Sequence, residues 1–156
     1  MSDSEHPVPE NLKGVTAYLV IKGAVEAIEY YKKVLNAEET LRLASPDGAI
    51  GHAELTIAGG ALMLAEEVPD MDIRSPATIG DSGTGLQVYV DDPDAVFELA
   101  IEHGATQFKP VADQFYGERS GTFDDPFGHR WTVSKRTENI TNEEIRERFE
   151  ELYGDD

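Results

Sequence analysis

The chain has no cysteine, which excludes disulfides, thiolate nucleophiles and cysteine-ligated zinc or iron–sulfur centres. Positive charge is also scarce: 13 Lys and Arg stand against 31 Asp and Glu, a formal net charge of −18. A field of that sign repels phosphate backbones and anionic lipid, so neither nucleic acid nor a membrane is an expected partner. Long apolar runs are missing too. Nothing approaches the roughly 18 consecutive apolar residues of a membrane span, and the first residues carry no basic stretch followed by an apolar one. The expected location is therefore the cytoplasm. The acidity reads first as a solvated, soluble surface, with a cationic ligand as the sharper alternative. At 156 residues and 40% hydrophobic, the chain can bury one good core and is too short for two ordinary domains.

Within that one domain the order of elements repeats. Val15 to Ile21 is an apolar, β-favouring run, and Ala24 to Leu35 places Val25, Ile28, Tyr31 and Leu35 at helical spacing. Three short strands follow, Glu39 to Ala44, Ile50 to Ala58 and Ala61 to Glu66, separated by turns at Ser45-Pro-Asp-Gly48 and Gly59-Gly60. After a Pro-, Asp-, Ser- and Gly-rich stretch the series recurs: a strand over Leu86 to Val90, a helix from Asp92 to about His103, and strands near Thr106 to Ala112, Arg119 to Asp124 and Arg130 to Ser134. Both helices exit through a residue that tolerates left-handed backbone, Asn36 or Gly104, followed by alanine. The 68-residue spacing between them fits a duplicated half-domain rather than a solenoid repeat. Thr141-Asn-Glu-Glu144 forms a capping box ahead of an apolar stripe of Ile145, Phe149 and Leu152, which predicts a C-terminal helix.

Particular phrases are more specific than the element order. Ala27-Ile-Glu-Tyr-Tyr-Lys-Lys-Val-Leu-Asn-Ala37, Asp47-Gly-Ala-Ile-Gly-His-Ala-Glu-Leu55, Val111-Ala-Asp-Gln-Phe-Tyr-Gly-Glu-Arg119 and Asp125-Pro-Phe-Gly-His-Arg-Trp131 occur in that order. They resemble phrases of the PhnB-like branch of the vicinal oxygen chelate superfamily, which groups glyoxalases, bleomycin-resistance proteins and dioxygenases. The resemblance covers roughly Leu12 to Phe149. It implies an α+β fold of two β-α-β-β-β half-barrel modules, the glyoxalase/bleomycin-resistance fold, with a C-terminal helix, a small molecule or metal held in a concave cavity, and a homodimer. The corresponding organisation is a flexible arm over 1–11, a single domain over 12–137 with modules 12–67 and 84–137 joined by linker 68–83, and a helix and tail over 138–156.

Metal-dependent members of that superfamily hold a divalent ion with one ligand on the first and one on the last strand of each half, usually His or Gln and then Glu. Here those positions fall on Thr16, Met63, Gly85 and Thr132, none of which is a good ligand. The usual glyoxalase chemistry loses its ion. The expectation is no cofactor, with Gln87 and Glu66 the displaced donors of any divalent metal that does bind. Gln87 shares a strand face with Gly85, whereas the two-residue repeat puts Glu66 on the face opposite Met63.

His52 and Glu54 share one strand face, and are read either as a structural pair or as a general base with its orienting carboxylate. His129 follows Gly128 in a turn and either bonds locally or touches ligand. Phe115, Tyr116, Phe127 and Trp131 make the stretch between them aromatic-rich; Phe127 and Trp131 suit a core. Phe115, Tyr116 and Arg119, beside a glycine, are better ligand-binding candidates, and Asp113 or Glu118 can hold a cationic group. Arg119 equally suits an internal salt bridge. Binding of a small aromatic or cationic molecule is the favoured function, and a metal-dependent lyase, isomerase or dioxygenase using displaced donors is its rival.

The acidic charge also bears on assembly. A homodimer of twice 17.1 kDa, about 34 kDa, is expected at micromolar concentration. Like-charged subunits repel over a Debye length of about 30 Å at low ionic strength, so association should strengthen with salt. Light scattering across a salt series checks this; a monomer at every ionic strength, or a dimer that salt dissociates, contradicts it.

Overall fold

The computed structural model describes residues 5–154. Residues 1–4 of the expected arm and 155–156 of the expected tail lie outside the described residues. The chain divides into two compact units, Met1–Asp81 and Ser82–Asp156. No helix among the described residues is long and apolar enough to cross a membrane.

In the first unit, β1 (Ala17–Ile21) leads through Gly23, whose φ of 93° turns the chain sharply, into α1 (Ala24–Leu35). Helical spacing brings Ala24, Ala27, Ile28, Tyr31, Val34 and Leu35 to one buried face. Asn36, at φ 53°, ends the helix in the left-handed conformation. Strands β2 (Glu38–Ala44), β3 (Ile50–Ile57) and β4 (Gly60–Glu66) complete a sheet of order β1-β4-β3-β2, with β1 parallel to β4 and the other pairs antiparallel. Leu19, Ile21, Ala53, Leu55, Ile57, Leu62 and Leu64 are buried, and these alternate residues form the face that α1 covers. The stretch read as linker carries structure of its own: a 3₁₀ turn at Pro69–Met71, a bridge between Val68 and Ile73, and the short α2 (Pro76–Ile79). Its lack of periodicity has a physical reason, since it is held by side-chain hydrogen bonds rather than by a buried stripe. The Glu67 carboxylate accepts from the Ser75 hydroxyl at 2.9 Å and from the Thr78 hydroxyl at 2.5 Å. The Thr78 bond in particular holds the Glu67 carboxyl below its ordinary range.

The second unit repeats this topology. Strand β5 (Gly85–Tyr89), α3 (Pro93–Glu102), β6 (Thr106–Asp113), β7 (Glu118–Asp124) and β8 (Arg130–Arg136) give a sheet of order β5-β8-β7-β6, again with the first and last strands parallel. Pro93 opens α3, Asp92 caps it by accepting from the Ala95 amide at 3.1 Å, and Gly104 takes the turn at φ 111°. Phe97 of α3 meets Phe123 of β7 edge-on at 6.0 Å between ring centroids, and Val88, Trp131 and Val133 are buried on the same face. Helix α4 (Asn142–Tyr153) begins with the expected capping box. It docks through Arg148, which donates to Glu138 and, at 2.9 Å, to the Phe115 carbonyl, while Phe149 lies 6.0 Å from the Phe115 ring. Phe149 and Leu152 of its stripe remain exposed.

The buried Asp125 carboxylate organises the β7–β8 turn. One oxygen accepts from the amides of Phe127 and His129, both at 2.9 Å, and the other from the Trp131 indole N–H at 2.9 Å. Close approach of α3 and β6 to β7 leaves no room at Gly121, where a Cβ would lie 2.6 Å from Val111 Cγ2 and 3.0 Å from Phe97 Cδ2. Gly121→Ala should therefore cost about 1–3 kcal/mol through overpacking. Gly85→Ala, at a position with nothing within 4 Å, should stay within about 0.5 kcal/mol of the parent. Urea denaturation of both variants makes the comparison, and equal midpoints would contradict the packing argument.

Candidate functional site

The two-residue repeat of a strand that buries one face under a helix delivers the intervening side chains to the other. On that face of the first unit, β3 presents His52, Glu54 and Thr56, and β1 presents Tyr18. The Tyr18 hydroxyl lies 2.8 Å from Nδ1 of His52, and His52 Nε2 lies 3.4 Å from Oε1 of Glu54. A carboxylate only accepts, so Nε2 carries the proton that bonds Glu54; Nδ1 of the neutral ring is then the acceptor and the phenol donates to it. Met63 stands between, paired in register with Tyr18 on one side and Glu54 on the other. Glu54, His52 and Tyr18 thus form one hydrogen-bonded chain whose outer end, Tyr18, is half exposed.

The corresponding face of the second unit is dominated by hydroxyls. Gln87, Thr132 and Thr122 form one row of the ladder and Tyr89, Ser134 and Ser120 the next. Thr122 and Thr132 hydroxyls bond each other at 2.8 Å, Gln87 Nε2 donates weakly to Ser134 Oγ at 3.4 Å, and Tyr116 approaches Ser120 Oγ at 3.5 Å. Tyr89 donates to Glu118 Oε1 at 2.7 Å, and that bond pushes the phenol pKa up, keeping Tyr89 protonated. Among the described residues the second oxygen, Glu118 Oε2, is buried without a hydrogen-bond partner. A desolvated carboxylate oxygen in that state is costly unless a donor reaches it.

The sequence candidates separate accordingly. His52 and Glu54 come together, whereas Gln87 and Tyr116 reach different serines of one row, Ser134 and Ser120. Arg119 lies on the opposite face of β7, where Asp94 holds it at 2.7 and 2.8 Å and Asp113 at 3.2 Å. Its bonds to Asp94 and then Asp113 raise its pKa, and its guanidinium depresses that of Asp94. Phe115 packs edge-on against Tyr116 and faces α4. His129 is buried in the Asp125 turn, its amide donating to that carboxylate. Glu66 accepts from the amides of Gly23 and Ala24 at 3.0 and 2.7 Å, capping α1 at the positive end of the helix dipole. Sequence reasoning passed over Tyr18, Tyr89, Ser120, Thr122 and Ser134. The available signal was the two-residue repeat itself, since Tyr18 alternates with buried Leu19 and Tyr89 lies two residues beyond Gln87.

The four positions at which a divalent ion is held in the resembled superfamily supply no ligand set. Gly85 has no side chain, Thr132 is bonded to Thr122, and Met63 is a thioether between Tyr18 and Glu54. Among the described residues no group of three or more His, Asp or Glu is placed to hold a metal ion. These residues do not fit the ion.

Comparison with known proteins is consistent across sequence and structure. The family model described as Glyoxalase/Bleomycin resistance protein/Dioxygenase superfamily matches residues 15–133. An uncharacterized protein of Mycobacterium tuberculosis (strain ATCC 25618 / H37Rv) is 35% identical over 135 residues, covering 85% of this chain and 79% of the relative. Among solved structures, TioX from Micromonospora sp. superposes with a TM-score of 0.61 at 23% identity, covering 83% of this chain and 100% of that one. A PhnB protein from Bacillus cereus gives 0.62 at 19% identity, covering 79% and 99%. The fosfomycin resistance protein FosX from Listeria monocytogenes gives 0.59 at 18%, covering 85% and 98%. At these identities the structural likenesses speak for the fold.

Thr16, Met63, Gly85 and Thr132 lead to an expectation of well under one divalent ion per chain in freshly purified protein, measured by elemental analysis. Near-stoichiometric nickel, zinc, manganese or iron, lost on Gln87→Ala or Glu66→Ala, would overturn it.

Proposed function

Since the chain belongs to the Glyoxalase/Bleomycin resistance protein/Dioxygenase superfamily, we propose that it is a PhnB-like member that binds a small aromatic or cationic molecule at the polar face of its second sheet, without the usual metal ion. The observation that carries this reading is Glu118 Oε2, a buried carboxylate oxygen with no partner among the described residues. An ammonium or amidinium group supplies the missing donor and the opposite charge together. Tyr89, half exposed and bonded to that carboxylate, offers ring surface beside it, and the Gln87 and Thr132 side chains of the neighbouring row add groups that both donate and accept. The PhnB-like assignment rests on the phrases Asp47 to Leu55, Val111 to Arg119 and Asp125 to Trp131. We propose a homodimer as the working assembly.

A matched probe pair tests the charge requirement. Phenethylammonium, compared with neutral 2-phenylethanol, should shift the backbone amide resonances of Gln87, Glu118, Ser120 and Thr132 at lower concentration. Glu118→Gln should weaken the cation about tenfold, roughly 1.4 kcal/mol, and leave the alcohol little changed. Equal binding of the two probes, or shifts confined to other residues, would count against the site.

A further inference from the structure

The chain of Glu54, His52 and Tyr18 belongs to the first unit and shares no residue with the cation site, so it stands or falls independently. Three features of it are unusual for a surface strand. The imidazole is gripped at both nitrogens, by Tyr18 at 2.8 Å and Glu54 at 3.4 Å. Its acceptor nitrogen is directed at a phenol. And the phenol is the most accessible member, with Tyr18 50% exposed while the side chains of His52 and Glu54 are only 24% and 23% exposed. A hydroxyl whose proton points into a base, with the base oriented by a carboxylate, is the arrangement that activates oxygen nucleophiles.

We infer that Tyr18 is an activated phenol, with His52 as its general base and Glu54 as the residue that positions and electrostatically supports His52, directed at small molecules bearing an activated ester carbonyl. In the reaction the Tyr18 oxygen forms a bond to the acyl carbon while the bond to the leaving group breaks. The phenolic proton passes to Nδ1 of His52, giving an imidazolium that faces the Glu54 carboxylate, and is then handed to the departing anion. No metal takes part. Tyr18 pairs with Met63 in the ladder, so the activated phenol stands beside the thioether that occupies a ligand position of the metal-dependent relatives.

The molecule contains its own controls. Tyr153 is 66% exposed and Tyr89 is 52% exposed, both at least as accessible as Tyr18. Accessibility alone would therefore acetylate Tyr153 first. The Tyr89 hydroxyl is engaged by Glu118, which retains its proton. With p-nitrophenyl acetate as the probe, peptide mass spectrometry of the intact chain should show Tyr18 acetylated at least about tenfold faster than Tyr153, with a matching release of p-nitrophenolate. His52→Ala should abolish that advantage. His52→Gln, which keeps a hydrogen-bond acceptor and removes the base, should do the same, whereas Glu54→Gln, which keeps an acceptor for Nε2 without the charge, should lower it several-fold. An unchanged urea midpoint in each variant certifies the fold, and an unchanged Tyr153 rate certifies the reagent dose. The inference is overturned if Tyr153 reacts as fast as Tyr18, or if His52→Gln leaves Tyr18 acetylation at the parent rate.

Discussion

A β-strand cannot bury one face under a helix without turning its alternate residues the other way, and each sheet here packs an apolar face under a helix, α1 in the first unit and α3 in the second. In the first unit Ala53, Leu55 and Ile57 go under α1, and the residues between them, His52, Glu54 and Thr56, are carried out on the opposite side whatever their chemistry. In the second unit Phe123 and Gly121 go under α3, so Ser120 and Thr122 emerge opposite. The apolar contacts with the helix supply the stability, and the register they enforce supplies the geometry of the polar face. A slip by one residue would exchange core and site together, which makes the core the guardian of the site's alignment.

The same logic explains carboxylates that serve the fold. Asp125 spends its two oxygens on two amides and an indole N–H, closing the β7–β8 turn so that Trp131 enters the core and Thr132 and Ser134 point to the opposite face. Glu66 spends both of its oxygens on the first amides of α1. Glu118 differs from these: one oxygen takes the Tyr89 proton and the other is buried without a protein donor among the described residues. That contrast sets Glu118 apart from the carboxylates whose oxygens are all taken up in building the fold.

The duplicated β-α-β-β-β order was legible because each element advertises itself locally: helical spacing in Ala24 to Leu35, Gly and Asn at the exits, Gly59-Gly60 between strands. Legibility failed where structure rests on side-chain hydrogen bonds instead of periodicity, as between Val68 and Gly83, where Glu67 gathers Ser75 and Thr78. For the site, His52 and Glu54 could be paired by spacing along one strand, but Tyr18 reaches them across two strand neighbours, a relation no local pattern encodes. Arg119 and Tyr116 lie three residues apart on either side of a glycine turn, and only the strand register reveals that the arginine belongs to the Asp94 side while the tyrosine faces Ser120.

The row of Ser120, Thr122, Thr132 and Ser134 has a consequence for how such a protein diversifies. Each of these hydroxyls can be lost, shifted or gained by exchanging Ser, Thr and Ala, changes of one or two atoms that scarcely alter volume. Because Phe123, Trp131 and Val133 face the other way, the core does not have to be repacked when the hydroxyl pattern changes. Exchanges along this row therefore redraw the polar face at the cost of its own hydrogen bonds, such as that between Thr122 and Thr132, and leave the core on the far side intact.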